Sequence, residues 1–131
     1  MHYLAYETLL ALHVHLMRDV MAETHYGVLD EGLLRSALAR PRQAAEYERA
    51  GGLRQAGSLF HGLLTNHGFV QGNKRTAYLA LEWFLAKNGL GQIAASDEQI
   101  IDLCYRTLDE HCGIDQIESW LAECVAPCDR H

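Results

Sequence analysis

Apolar residues recur at three- and four-residue steps along nearly the whole chain, which is the period of an amphipathic α-helix. The alternating pattern of a half-buried strand occurs only as a possible short strand at residues 92–94. The segments that this pattern predicts as helices are residues 4–21, 31–41, 53–66, 73–87, 97–108 and 116–124. The prediction is therefore an all-α protein, a compact single-domain bundle of about six helices.

Two segments differ from the amphipathic pattern. Residues 73–88 carry apolar side chains on nearly all sides, so this helix is expected to be the central, buried one. Residues 41–52 contain a proline, mixed charges and a glycine pair, and we interpret them as a loop or flap over a binding site. A plain solvated connector is an equal alternative. His13 lies on the apolar face of the first helix and is interpreted as a packed core histidine.

Capping residues mark the starts of three helices. Asp30 is the expected N-cap of the second helix. Ser96 and Gln99 have the spacing of a capping box, in which each side chain accepts a backbone N–H bond from the other residue. Asp115 and Glu118 have the same spacing and predict a second capping box for the last helix.

Composition and charge narrow the class of protein. The 131 residues carry a net charge of −6, and an acidic chain repels a phosphate backbone, which disfavours DNA or RNA as a partner. No apolar run reaches the roughly 18 residues that span a membrane. The first residues do not have the basic and apolar regions of a signal peptide, so a cytoplasmic location is expected.

Cysteines are confined to the last third of the chain. They are Cys104, Cys112, Cys124 and Cys128. Reduced thiols are expected for a cytoplasmic protein. Their spacing contains no CxxC pair, so free thiols are favoured over a zinc site completed by His111, Asp129 or His131.

Residues 67–76, HGFVQGNKRT, hold the most unusual chemistry of the sequence. A helix that begins near residue 73 presents unpaired backbone N–H groups and a positive dipole end. Gly72 allows a ligand to approach the backbone closely. Lys74 and Arg75 add two cations where the helix dipole disfavours them, unless an anion binds there. A phosphate group is the expected ligand.

His67 and Phe69 complete this segment. Histidine titrates near neutral pH, so His67 is a candidate general base for a hydroxyl nucleophile. Phe69 is expected to anchor the loop in the core and so to hold His67 in place. The alternative is an ordinary interhelical turn with solvated charges.

This segment resembles the signature of the Fic/Doc (fido) superfamily, His-x-Phe-x-(Asp/Glu/Asn)-(Gly/Ala)-Asn-(Gly/Lys)-Arg. Its Asn-Lys-Arg-Thr version is similar to that of the death-on-curing (Doc) branch, toxins of bacterial toxin–antitoxin pairs. Further similar segments are LLALH at 9–13, GVLDEGLLRSALARP at 27–41 and FLAKNG at 84–89. The resemblance implies one fido-type domain over residues 1–131, with its core at 4–124 and a short tail at 125–131.

The resemblance also implies a role for each matching residue. His67 would be the base that deprotonates a hydroxyl group of a target protein. Asn73 and Arg75 would hold the phosphates of ATP, together with backbone N–H groups from Gly72 onward. Lys74 replaces the glycine of adenylylating Fic enzymes and implies transfer of the γ-phosphate. The family target is a threonine of elongation factor Tu, whose phosphorylation stops translation.

Two residues depart from the family pattern. Gln71 stands at the magnesium position, where the family has an acidic residue or asparagine, and a neutral amide is a poorer Mg²⁺ ligand than a carboxylate. Gly68 stands where proline is common, which predicts a looser loop. Two alternatives to the kinase remain: a protein adenylyltransferase of the Fic type, and a non-catalytic fido domain that binds a nucleotide or an antitoxin.

The self-inhibitory motif of many Fic enzymes, (Ser/Thr)-x-x-x-Glu-(Gly/Asn), is absent from the sequence. Ser119 and Glu123 match its spacing, but Cys124 follows them. The resemblance therefore implies an external inhibitor, a cognate antitoxin, which we expect in a groove near residues 41–52.

Overall fold

The computed structural model describes residues 1–127, and helices make up most of them. In chain order the elements are α1 (Tyr6–Val14), a π-helix (His15–Val20), α2 (Glu31–Glu48), α3 (Gly52–Asn66), α4 (Asn73–Lys87), β1 (Gln92–Ile93), α5 (Asp97–Asp109), α6 (Ile114–Cys124) and β2 (Val125–Ala126). The all-α prediction is confirmed, and the predicted limits of α3 and α4 agree with the structure to within one residue.

The helix predicted at residues 4–21 is continuous but changes its winding. Its first part is α-helical, and from His15 onward the wider π-helix follows. Leu9, His13 and Met17 are buried at four-residue steps across this junction. The junction therefore keeps one face of the segment in the core.

The prediction of a loop at residues 41–52 is wrong, because α2 continues through Pro41 to Glu48. A proline inside a helix loses the bond to the carbonyl four residues earlier, at a cost of about 3 kcal/mol. Here Ala37, Pro41 and Ala44 are all buried. Gly62 of α3 lies so close to α2 that a Cβ added to it would be 3.1 Å from Ala37 Cβ. The close packing of α2 against α3 offsets the lost bond, and only residues 49–51 are irregular.

The centre of the bundle is shared by α3 and α4. Helix α3 packs against α2, α4, α5 and α6, and its residues 55–60 are all buried. Helix α4 packs against α1 and α3 through its buried residues Thr76, Ala77, Ala80, Leu81, Phe84 and Leu85. The helix predicted as central is thus one of two, and α3 makes contact with more elements.

One of the two predicted capping boxes is present. Ser96 and Gln99 form it at the start of α5, with bonds in both directions. The box predicted from Asp115 and Glu118 is wrong, because α6 begins at Ile114 and the Gly113 N–H donates to the side chain of Gln116. The two acidic side chains instead accept hydrogen bonds from an arginine of α3, a long-range contact that local spacing cannot reveal.

That arginine is Arg54, which pairs with three carboxylates at once. Its guanidinium bonds to Asp115 and Glu118 of α6 and to Glu48 at the end of α2. These hydrogen bonds raise the pKa of Arg54 above its already high value. The cluster ties three helices together at one end of the bundle.

Two short strands close the fold. β1 and β2 pair antiparallel, with Gln92 opposite Ala126 and Ile93 opposite Val125. Strand β1 confirms the short strand predicted near residues 92–94. No helix within residues 1–127 is long and apolar enough to cross a membrane.

The three cysteines at positions up to 127 are free thiols: Cys104 is buried, and Cys112 and Cys124 are half-buried. Groups of three or more His, Cys, Asp or Glu side chains that could hold a metal ion do not occur in this part of the chain. Cys128, Asp129 and His131 of the zinc alternative lie outside the described residues.

Candidate functional site

Residues 67–72, here called the signature loop, join the end of α3 to the start of α4. His67 is the C-cap of α3, with a left-handed φ of 50°, and its side chain is exposed. Gly72 is the N-cap of α4, with a φ of 76°. The loop therefore has a left-handed residue at each end, and it displays the predicted base at its first position.

The signature loop is bonded along its length to the segment that leads into α2. Val28 and Phe69 form an antiparallel bridge, and Val70 N–H donates to the carbonyl of Gly27. The carbonyl of Gly68 accepts from the N–H groups of both Leu29 and Asp30. The loop is thus part of a small backbone ladder and is held in a defined conformation.

Gly68 contributes to this order, contrary to the looser loop predicted from the missing proline. It is buried, and a Cβ at this position would lie 2.4 Å from Leu34 Cδ2. Leu34 is itself 1% exposed and belongs to the core. Close packing of the Gly68 backbone against α2 therefore replaces the stiffness of a proline ring.

Asn73 holds the loop from the side of α4. Its amide Nδ2 donates to the carbonyl of Phe69, and its Oδ1 accepts from the N–H of the same residue, both at 3.0 Å. The predicted role of Asn73 was phosphate binding, but in the structure both polar groups of its side chain are used within the loop. Asn73 therefore positions the signature loop, and because its amide has a second N–H, the predicted phosphate contact stays a prediction.

Phe69 and His13 form the floor of the site. Phe69 is 3% exposed, and its ring stacks on His13 with centroids 3.8 Å apart and planes 10° from parallel. His13 Nδ1 lies 3.0 Å from Thr76 Oγ1 in the first turns of α4. The interpretation of His13 as a packed core histidine is confirmed, since only 1% of it is exposed.

Burial also fixes the charge of His13. It lowers the pKa of His13 to about 4, so the ring is neutral at neutral pH. His13 was not predicted to contact the signature loop. The signal that could have pointed to it is a polar ring on the apolar face of α1, because a buried imidazole needs a partner.

The start of α4 has the features expected of an anion site. Lys74 and Arg75 are exposed, and the first-turn N–H groups have no helical partners. A Cβ on Gly72 would lie 2.4 Å from Met17 Cε, so only glycine fits this backbone position without displacing the π-helix side chain. Lys74 Nζ lies 4.5 Å above the ring of Tyr105 on α5.

Lys74 and Arg75 also line a cavity of about 520 Å³ between α4 and α5. Its other lining residues are Leu16, Tyr78, Leu79, Glu82, Asp97, Ile100, Ile101, Cys104 and Tyr105. Burial and the neighbouring Glu82 raise the pKa of Tyr78 to about 12, and burial raises the pKa of Glu82. The contribution of α5 to this cavity was not predicted from the sequence.

Gln71, the residue at the predicted metal position, is bonded to the segment that follows the π-helix. Its amide Nε2 donates to the backbone carbonyl of His25 and lies 3.4 Å from Glu23 Oε2. Both partners belong to the turn that follows the π-helix. The sequence did not predict these contacts, because His25 lies 46 positions and Glu23 lies 48 positions before Gln71.

Two comparisons with known proteins agree with the predicted resemblance. The model of the family described as "Fic/DOC family" matches residues 3–85. A protein named "Toxin Doc" from Mycolicibacterium smegmatis is 39% identical over 99 residues, which are 72% of this chain and 75% of that protein. The matched region contains α1 to α3, the whole signature loop and α4 except for its last two residues.

Proposed function

Because the chain belongs to the Fic/DOC family, we propose that it is a Doc-like toxin that phosphorylates a target protein. It transfers the γ-phosphate of ATP to a threonine or serine hydroxyl of a target such as elongation factor Tu, in the cytoplasm, and so blocks translation. The observation that carries this proposal is the start of α4, where first-turn N–H groups without helical partners lie beside the two exposed cations Lys74 and Arg75.

The chemistry assigned to this site is an in-line phosphoryl transfer. His67 takes the proton of the target hydroxyl, the oxygen bonds to the γ-phosphorus, and the bond to the β-phosphate oxygen breaks to release ADP. Such a reaction needs mainly positioning and neutralisation of phosphate charge. The first-turn N–H groups of α4, with Lys74 and Arg75, supply both. The two hydrogen bonds between Asn73 and Phe69 hold the loop that carries His67 in a fixed position relative to α4.

A magnesium ion is part of the same proposal. The atoms beside the Gln71 side chain are oxygens of the turn that follows the π-helix, a carboxylate oxygen of Glu23 and the backbone carbonyl of His25. Oxygen is the donor that this hard cation prefers, so the donor set fits Mg²⁺. When bound, the ion would neutralise charge on the nucleotide phosphates.

A second candidate, a non-catalytic domain that binds a nucleotide or partner, is favoured by one residue. Gln71 is neutral where the family has an acidic residue or asparagine, and its amide is already bonded to His25. This candidate retains the anion site at α4 and loses the transfer step. We do not favour the other alternative, adenylyl transfer, because Lys74 stands at the position where adenylylating Fic enzymes have a glycine.

We further propose a cognate antitoxin as partner, as the relative named Toxin Doc suggests. A groove of about 370 Å³ lies between the start of the chain and α2, and it reaches Glu46 in the segment where the inhibitor is expected. In this groove Arg35 stacks on Tyr6 and Arg42 on Tyr3, at 4.1 and 4.8 Å. Exposed arginines on aromatic rings suit an acidic, partly apolar segment.

The experiment that tests the transfer uses purified protein, Mg²⁺, elongation factor Tu, and ATP labelled at the γ- or the α-phosphate. A His67→Ala variant is the control. Transfer of the γ-label that disappears in the control supports the kinase, and transfer of the α-label refutes it in favour of adenylyl transfer. If neither label moves although ATP binds, the non-catalytic candidate is favoured for this target.

A further inference from the structure

The turn after the π-helix brings a carboxylate to the predicted metal position. Ala22 has a left-handed φ of 54°, a conformation that alanine rarely adopts. Glu23 N–H then donates to the carbonyl of Met17 at 2.7 Å, which fixes the reversal of the chain. The result is that the half-buried Glu23 faces the signature loop, with its Oε2 3.4 Å from Gln71 Nε2.

Two oxygens of this turn therefore lie close to the NH₂ group of Gln71. The NH₂ of Gln71 lies between Glu23 Oε2 and the backbone carbonyl of His25. Within residues 1–127, no lysine, arginine or histidine forms an ion pair with Glu23. A half-buried carboxylate beside a carbonyl oxygen, with only an amide for a partner, is a favourable environment for a small cation.

Gln71 directly precedes Gly72, where α4 begins and where the phosphates are expected. Protein sites for Mg²⁺ commonly use one or two carboxylates, with substrate phosphates and water completing the octahedron. We propose that Glu23 supplies the carboxylate ligand of the nucleotide-bound Mg²⁺, in place of the acidic residue that position 71 does not have. The carbonyl of His25, which accepts from the same Gln71 NH₂ group as Glu23, is its neutral neighbour. This inference rests on the proposed ATP site.

The test is the effect of Mg²⁺ on ATP affinity, measured by calorimetry in MgCl₂ and in EDTA for the wild type and Glu23→Gln. This variant keeps the size and hydrogen bonding of the side chain and removes only its charge. We expect it to weaken ATP binding in Mg²⁺ at least about tenfold, the loss seen when even an outer partner of a metal ligand is removed. In EDTA its affinity should equal or exceed the wild type, because a charge that repels ATP is gone.

Two further variants make the result specific. Glu7→Gln removes the same charge from an exposed position at the start of α1 and should behave as the wild type. Adding Gln71→Asp to Glu23→Gln returns a carboxylate to the site and should restore the Mg²⁺ effect. Three outcomes would each overturn the assignment. The effect of Mg²⁺ on ATP affinity could be unchanged in Glu23→Gln, or ATP binding could be weakened equally in both buffers. The double variant could also fail to recover the effect of Mg²⁺. If the wild type binds ATP in neither buffer, the ATP site itself is refuted.

Discussion

Acidification tests how His13 is packed beneath the signature loop. In the folded protein burial lowers its pKa to about 4, from the ordinary histidine value of 6.5. A proton therefore binds the unfolded chain more tightly, so acid favours unfolding. The contribution of His13 to stability is complete above about pH 6.5 and is lost as the pH falls towards 4.

The size of this effect follows from the two pKa values. Between pH 7 and pH 5 the free energy of unfolding should fall by about 2 kcal/mol through His13 alone. Other groups add their own share, among them His61, whose pKa is lowered by burial and by Arg40. A comparison of variants is therefore needed to isolate the share of His13.

The assay is urea unfolding of the wild type and His13→Asn at pH 7 and pH 5. Asparagine can still bond to Thr76 but does not titrate, so the variant should lose about 2 kcal/mol less than the wild type over this interval. His61 is present in both proteins, and its contribution cancels. His2→Gln, at the exposed chain start, should follow the wild type. Equal losses in the wild type and His13→Asn would refute the argument that His13 is buried neutral.

Three other substitutions test the packing around the site. Gly72→Ala should destabilise the protein by about 2–4 kcal/mol in urea unfolding, because a Cβ meets Met17 at 2.4 Å and φ is positive; in a Met17→Ala background the same substitution should cost less, and strict additivity of the two losses would contradict the clash. Arg54→Met should lower stability at low salt, and by less in 1 M NaCl, since charge pairs between exposed groups are screened; a salt-independent loss of stability would contradict the ionic role. Ser96→Ala should lower stability by about 1 kcal/mol through loss of the α5 cap, and an unchanged melting temperature would argue against the capping box.

Local signals in the sequence predicted local structure well. The apolar period gave the limits of α3 and α4, and the Ser96 capping box was identified because both partners lie within one turn. Phe69 is buried at the base of the signature loop, as its apolar character suggested. In these cases the atoms that decide the conformation are close in sequence.

Contacts between distant segments explain what the sequence did not reveal. Pro41 was interpreted as a helix stop, but packing against α3 outweighs the lost hydrogen bond. Asp115 was interpreted as a cap, but Arg54 is its partner 61 positions away. The contact of Gln71 with Glu23 depends on the left-handed conformation of Ala22 in the preceding turn, which no local sequence pattern predicts. The apolar period of a helix shows which of its faces is buried, but it does not show which other element packs against that face.

The ladder between residues 27–30 and the signature loop has a consequence for hydrogen exchange. The amides of Leu29, Asp30 and Val70 are all bonded across it, and that of Phe69 is bonded to Asn73. None of the three amides that cross the ladder can exchange freely unless the two segments separate. Although these residues are assigned to no helix, the three amides should exchange together and slowly, as one cooperative unit that opens only when the entry to α2 detaches from the loop.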